Sequence, residues 1–157
     1  MGGRTRLQSE LKQNIPFSSP GEEAIVSLLR TANFIKSQLE AITKPFGLTP
    51  QHYNVLRILR GAGDEGLPTL EISNRMIEPS PGITRFIDVL EKKSLVVREQ
   101  CAVDKRRQIC VISAKGLKVL NKLDFRIKDL NEGFTKNLEK EDLAQLMNYL
   151  NSIRGYH

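Results

Sequence analysis

The sequence predicts a mainly α-helical chain carrying one small β-hairpin. Three observations point there. Apolar residues recur at three- and four-residue steps over most of the chain beyond Glu22. Two short runs rich in β-branched residues flank a single polar turn, Asp104-Lys105-Arg106. The absence of Trp and an aromatic share of 6% suit an aliphatic, helix-rich core.

A length of 157 residues fits one compact domain, or a small head with helical arms. Hydrophobic and charged fractions of 39% and 27% are those of a folded chain. The net charge of +6 attracts polyanions, although a merely solvated surface explains it equally well until the placement of the cations is considered. Residues 1–19 carry Arg4, Arg6 and Lys12 but no continuous apolar stretch, and nothing elsewhere approaches the ~18 apolar residues of a membrane span. Neither export nor membrane insertion is expected, and a cytoplasmic location follows. Cys101 and Cys110 are too few for a disulfide scaffold and lack C-x-x-C spacing.

Residues 1–21 mix Gly, Ser, Pro and charge without a period and are expected to form a mobile arm that gains order only against a neighbour. Over residues 22–46, Ile25, Leu28, Leu29, Ala32, Ile35, Leu39 and Ile42 mark a long amphipathic helix that ends near Lys44-Pro45-Phe46-Gly47. Thr49 can then cap a helix with Pro50 at its first position and Tyr53, Val55, Leu56, Ile58 and Leu59 on its buried face. The run Gly61 to Gly66 is expected to be a loop, and Leu67-Pro68-Thr69 leads into a short helix bearing Leu70, Ile72 and Met76.

Glu78-Pro79-Ser80-Pro81-Gly82 reads as a turn and helix start, with Ser80 accepting an early helical N–H and Pro81 pre-set for the first helical position. The helix over 83–93 places Ile83, Phe86, Ile87 and Leu90 on one stripe and Thr84, Arg85, Asp88 and Lys92 on the other side. A short helix, a tight turn and a second amphipathic helix make a helix-turn-helix. The strands over 95–103 and 107–112 then form a hairpin, a wing whose tip holds Lys105, Arg106 and Arg107. Beyond it, Leu120, Leu123, Ile127, Leu130 and Phe134 define one helix. Leu143, Leu146, Met147, Leu150 and Ile153 define another, opened by Glu139-Lys140-Glu141-Asp142.

A helix about 10–12 Å across fits the major groove, where base edges carry a distinguishable hydrogen-bonding code. The first turns of the second helix hold Ser80, Gly82, Thr84 and Arg85, and the N-terminal end of such a helix is the part that reaches base edges. A solvated helix charge is the alternative for Arg85, but DNA contact by at least one of Thr84 and Arg85 is the preferred reading. Cations at a thin hairpin tip suit the narrow minor groove and its phosphates, which adds Lys105, Arg106 and Arg107. Asp104 beside them is expected to fix the loop and aim an arginine, or to be an ordinary turn-forming Asp.

The run Ile83-Thr84-Arg85-Phe86-Ile87-Asp88-Val89-Leu90-Glu91-Lys92-Lys93-Ser94-Leu95-Val96 resembles the recognition helix of the MarR family. Asp104-Lys105-Arg106-Arg107 followed by Val111-Ile112-Ser113-Ala114-Lys115-Gly116 resembles that family's wing and the start of its next helix. Gly47-Leu48-Thr49-Pro50-Gln51 with Val55-Leu56 matches too, so the likeness runs from about Glu22 onward. It implies a winged helix-turn-helix with N- and C-terminal dimerisation helices, and a transcriptional regulator, most simply a repressor, that binds double-stranded DNA as a homodimer on a pseudo-palindrome. Asp104 and Arg106 become the wing's structural and minor-groove residues. The chain divides into an arm (1–21), a dimerisation helix (22–46), a DNA-binding domain (47–113) and C-terminal dimerisation helices (114–157). Ile25, Leu28, Leu29, Leu123, Ile127, Leu130, Phe134, Leu146, Leu150 and Ile153 would form the interface, although each stripe suits an intrachain core equally well. The resemblance also implies a small-molecule effector, which the sequence does not identify.

The chain departs from the family pattern at Ser94, where Gly is usual and left-handed backbone is cheap only for Gly, so the exit to the wing is expected to be built differently. Pro81-Gly82 is unusual at the start of the reading helix. Two alternative functions stand beside the regulator relieved by a ligand. In a hairpin centred between Lys105 and Arg106, Cys101 would face Cys110 and could form a redox-sensing disulfide, with unremarkable free thiols as the plainer reading. The winged domain could instead serve protein contacts. No cofactor or metal is expected, since His52 lies alone on a helix and His157 ends the chain. No catalytic constellation or phosphate-binding glycine loop points to an enzyme.

Overall fold

The computed structural model describes residues 5–101, 104, 106 and 108–155. The chain divides into two compact units, Met1–Pro50 and Gln51–His157.

In the first unit, the expected aperiodic arm contains a short helix, α1 (Arg6–Glu10). Thr5 Oγ1 accepts the Gln8 N–H at 3.3 Å and Gln8 Oε1 accepts the Thr5 N–H at 2.9 Å, a reciprocal capping box that lets a five-residue helix form where no apolar period announces one. Helix α2 (Pro20–Thr43) starts two residues before the expected position, because Ser19 Oγ accepts the Glu22 N–H at 3.1 Å and Pro20 supplies the pre-set first residue. It runs into a 3₁₀ turn, Lys44–Phe46, closed by Gly47 in left-handed backbone at φ 63°.

From its second residue onward, helix α3 (Pro50–Ala62) belongs to the second unit; its buried residues are His52, Tyr53, Val55, Leu56 and Leu59, and Ile58 is half-buried. The glycine-rich run beyond is more ordered than a loop. Helix α3 continues over Gly61 and Ala62, and a 3₁₀ turn covers Gly63–Glu65. At Gly66 (φ 60°) an added Cβ would lie 2.6 Å from the Cys110 carbonyl oxygen. Only glycine lets the chain approach that closely, and the approach positions Leu67 to exchange backbone hydrogen bonds with Cys110 at 3.0 and 2.8 Å. Helix α4 (Thr69–Arg75) buries Ile72, and Met76 is buried at its C-cap, whereas Leu70 is 73% exposed and does not join the core expected of it.

Helix α5 (Ile83–Lys92) buries Ile83, Ile87 and Leu90, with Phe86 half-buried, as its stripe predicts. Strands β1 (Val96–Gln100) and β2 (Gln108–Ile112) pair antiparallel, from Val96 opposite Ile112 to Gln100 opposite Gln108. They are shorter than the expected runs. Leu95 belongs to the turn after α5, and positions 102, 103 and 107 lie outside the described residues. Helix α6 (Ala114–Thr135) is capped by Ser113, whose Oγ accepts the Gly116 N–H at 2.9 Å. Asp124 on α6 accepts the Tyr53 hydroxyl at 2.8 Å and an Arg60 guanidinium N–H, fastening α3 to α6. Burial and that acceptor push the Tyr53 pKa up to about 12, so the phenol stays a donor.

Helix α7 (Lys140–Ile153) opens with a capping box between Glu139 and Asp142. The residues expected to face a partner chain fall into different classes. Leu123 and Ile127 are buried within the single chain and belong to its own core. Leu28, Leu130, Phe134 and Leu150 are half-buried, while Ile25, Leu29, Leu146 and Ile153 are exposed. None of the described helices is long and apolar enough to cross a membrane.

Candidate nucleic-acid interface

The outward side of α5 carries Thr84, Arg85, Asp88 and Lys92, all exposed, opposite the stripe that anchors the helix. The beginning of the helix differs from the sequence expectation. Ser80 is not its N-cap and Pro81 is not its first residue; Ser80 Oγ accepts the Gly82 N–H at 3.1 Å, and Gly82 occupies the cap position ahead of Ile83 without any side-chain cap. A Cβ on Gly82 would sit 3.3 Å from that hydroxyl; the Ile83 N–H donates to the Ser80 carbonyl at 3.3 Å, and the start of α5 has no side-chain cap. The turn is pinned from α3: the Ile77 N–H donates to Asn54 Oδ1 at 2.8 Å, and Gln51 Nε2 donates to Glu78 at 3.2 Å.

The far end of α5 is closed. Leu95 N–H reaches the Leu90 carbonyl at 2.9 Å and Ser94 N–H the Glu91 carbonyl at 2.8 Å, the paired bonds of a Schellman turn. Leu90 and Leu95, the hydrophobic pair that accompanies such a turn, are both buried. Ser94 takes φ 59°, so the exit is built in left-handed backbone despite the missing glycine, against the expectation of a different construction. Neighbouring bonds hold it there: Ser113 Oγ donates to the Ser94 carbonyl at 2.7 Å, and Lys115 Nζ donates to the Lys93 carbonyl at 2.8 Å.

Arg98 on β1 reaches back to α5, donating to Asp88 Oδ1 at 2.5 Å and to Glu91. The hydrogen bond to Asp88 pushes the already high Arg98 pKa further up, so this cation is permanent. At the wing tip, Asp104 Oδ1 accepts the Arg106 N–H at 3.0 Å, an Asx turn, and Arg106 is exposed. Lys105 and Arg107 lie outside the described residues, as does His157.

The expected facing of Cys101 and Cys110 is overturned by the register. Cys110 stands opposite Arg98, three residues from Cys101, and an odd offset along a strand also turns side chains to opposite faces. Three residues are about 10 Å of strand, beyond the reach of a disulfide. Cys110 is buried, and burial pushes its thiol pKa up, away from the reactive thiolate. His52, expected to be solitary, is buried with its ring edge-on to Phe86 of α5 at 5.4 Å; burial, then the charge of Lys93, lowers its pKa. Among the described residues no group of three His, Cys, Asp or Glu is placed to hold a metal ion.

Sequence reasoning missed Arg98 and Asn54. Arg98 stands in a strand among other charges, and only the fold of β1 back against α5 reveals that it meets Asp88 and Glu91. Asn54 is a polar residue on an amphipathic helix, with no local sign that it serves a turn 23 residues away.

A model of the MarR family matches residues 48–107, which take in the helix-turn-helix, the first strand of the wing and its tip but not β2. The HTH-type transcriptional regulator MhqR of Bacillus subtilis is 30% identical over 96 residues, which span 61% of this chain and 65% of that regulator's length. The crystal structure of a MarR transcription factor from Planctomyces limnophilus is 33% identical, with 87% of this chain and 98% of that one covered at a TM-score of 0.66. The MepR–DNA complex of S. aureus shares the fold at a TM-score of 0.73 and 19% identity, covering 82% of this chain and 92% of the other. The B. subtilis relative is a transcriptional regulator and the P. limnophilus one a transcription factor.

Proposed function

The chain belongs to the MarR family, and we propose that it is a sequence-specific regulator of transcription that reads double-stranded DNA through α5 and its wing. The observation that carries this reading is the outward face of α5, where Thr84 and Arg85 stand exposed beside a helix start free of side-chain caps. The Thr84 and Arg85 amides, which have no side-chain cap, and the positive end of a helix dipole suit phosphate, while the Thr84 and Arg85 side chains suit base edges. In the wing, the Asx turn at Asp104 holds the backbone that carries exposed Arg106, and Lys105 and Arg107 are further cations of the proposed contact set for phosphate or the minor groove. Ser80 and Gly82 complete the contact set at the turn. That the same fold in MepR is seen with DNA supports the assignment.

Homodimerisation fits the second half of the reading. Leu143, Leu146, Met147, Leu150 and Ile153 share one arc of α7, yet none of them is buried within the chain. Residues 22–46 and 114–157 are the pairing elements in this scheme, and residues 47–113 the reading domain. The resulting dimer would place two α5 helices in successive major grooves of a pseudo-palindromic operator, repress by occupancy, and be released by a small molecule that favours another spacing of the two heads.

Binding-site selection from random duplex DNA at two salt concentrations tests this. The expected product is an inverted repeat with half-site centres roughly 34 Å apart and an affinity that falls steeply with salt. Recovery of unrelated sequences, or binding indifferent to salt, would overturn the reading.

A further inference from the structure

One side chain joins the wing to the reading helix. The Arg98 guanidinium spans two carboxylates of α5: one nitrogen donates to Asp88 Oδ1 at 2.5 Å and the other to Glu91. The Arg98 side chain is 20% exposed, whereas those of Asp88 and Glu91 are 56% and 41% exposed. The cation is therefore the sheltered member and the acids lie on the helix surface. Asp88 and Glu91 are three residues apart, close to one helical turn, so the fork grips two successive points along α5. A point charge would set only a distance. A planar fork on two points also sets the rotation of α5 about its own axis relative to β1. Across the ladder from Arg98 lies buried Cys110, whose backbone bonds to Leu67, so the strand behind the fork is anchored from its other side.

Rotation of α5 decides where Thr84 and Arg85 point, and β1 leads to the tip that carries Asp104 and Arg106. We propose that Arg98 is a positioning residue that couples the reading helix to the wing, so that the two engage DNA as one rigid element without Arg98 touching DNA. The inference rests on the DNA-reading assignment above. A purely electrostatic role, in which Arg98 cancels two acids near the phosphates, would be met by any cation at this position. A coupling role needs the fork.

A double-mutant cycle on the full chain, read as affinity for the selected operator, separates these. Arg106→Ala is expected to weaken binding about tenfold with Arg98 intact and less than about threefold in Arg98→Met, because a wing no longer held in register with the helix contributes little. Arg98→Lys should behave like Arg98→Met in this cycle. It retains one ion pair and carries the test if the Met variant fails to fold, with thermal melts reporting that in parallel. Equal losses from Arg106→Ala in every background would overturn the coupling, as would full restoration by Arg98→Lys. No loss from Arg106→Ala even with Arg98 intact would remove the wing from the DNA-reading assignment, and the coupling with it.

Discussion

The two ends of α5 are built by opposite means. At its start Gly82 holds the cap position without a side-chain acceptor, and the nearest hydroxyl, Ser80, is spent on an amide outside the helix. At its end every element of a Schellman turn is present, and Ser113 and Lys115 add bonds to the carbonyls of Ser94 and Lys93. A helix serving only as structure gains from closure at both ends. One that must present amides to an anion has reason to leave its N-terminus open, and the closed C-terminus then carries the burden of holding it in place.

The largest expected effect comes from forcing the closed end apart. A Cβ on Gly116 would lie 2.1 Å from the Leu95 carbonyl oxygen, which is backbone and cannot swing aside. Gly116→Ala should destabilise the protein by about 3 kcal/mol, the upper range for overpacking, as read by urea denaturation. A loss below about 0.5 kcal/mol, ordinary for a surface change, would show that the junction between α6 and the turn yields freely. Next in size is Arg85→Ala at the open end. It should cost about 1–3 kcal/mol in operator affinity and relax sequence preference while leaving unfolding unchanged, since Arg85 is exposed and outside the core. Uniform weakening across all sequences would instead make Arg85 a phosphate contact.

The closed end also contains a correctable flaw. Ser94 holds φ 59°, a conformation that costs a residue with a Cβ roughly 1 kcal/mol. Ser94→Gly should therefore stabilise by about 0.5–1 kcal/mol, after part of the gain is offset by the greater freedom of glycine in the unfolded chain. Operator affinity should not change. Any destabilisation would mean that the serine side chain contributes to the turn in a way its backbone geometry does not reveal.

Legibility in the sequence follows the same division. The α5 stripe, Ile83, Phe86, Ile87 and Leu90, is a local periodicity and appears as expected, as do a long helix ahead of Lys44, the two helices α6 and α7, and the position of the hairpin. Features set by partners distant in sequence were not legible. The ladder register, which separates Cys101 from Cys110, is accompanied by the Leu67–Cys110 bridge from a segment distant in sequence and is not set by the two strands alone. The approach of Arg98 to Asp88 and Glu91 follows instead from the path of the turn between α5 and β1, which no periodicity announces. Helix α1 was hidden for the converse reason: its capping box is local but too short to show a period. Ser94 showed that a residue type can be unfavourable for a conformation and still adopt it when neighbouring bonds prescribe the path.

The smallest expected effect separates two readings of the open end. If Ser80 were the N-cap, as its position ahead of Pro81 suggested, Ser80→Ala would cost about 1 kcal/mol and up to 2, the usual loss for a removed cap. In the structure Ser80 Oγ bonds the Gly82 N–H in a partly exposed turn, one residue short of the helix, where water can replace it. The expected loss of stability is therefore about 0.5 kcal/mol or less, at the lower end for a single hydrogen bond. A loss near 1 kcal/mol, measured against Ser113→Ala at the side-chain-capped start of α6, would show that α5 is capped in solution after all. In that case its amides would not be waiting for phosphate, and the contrast between the two ends would have to rest on the Schellman turn alone.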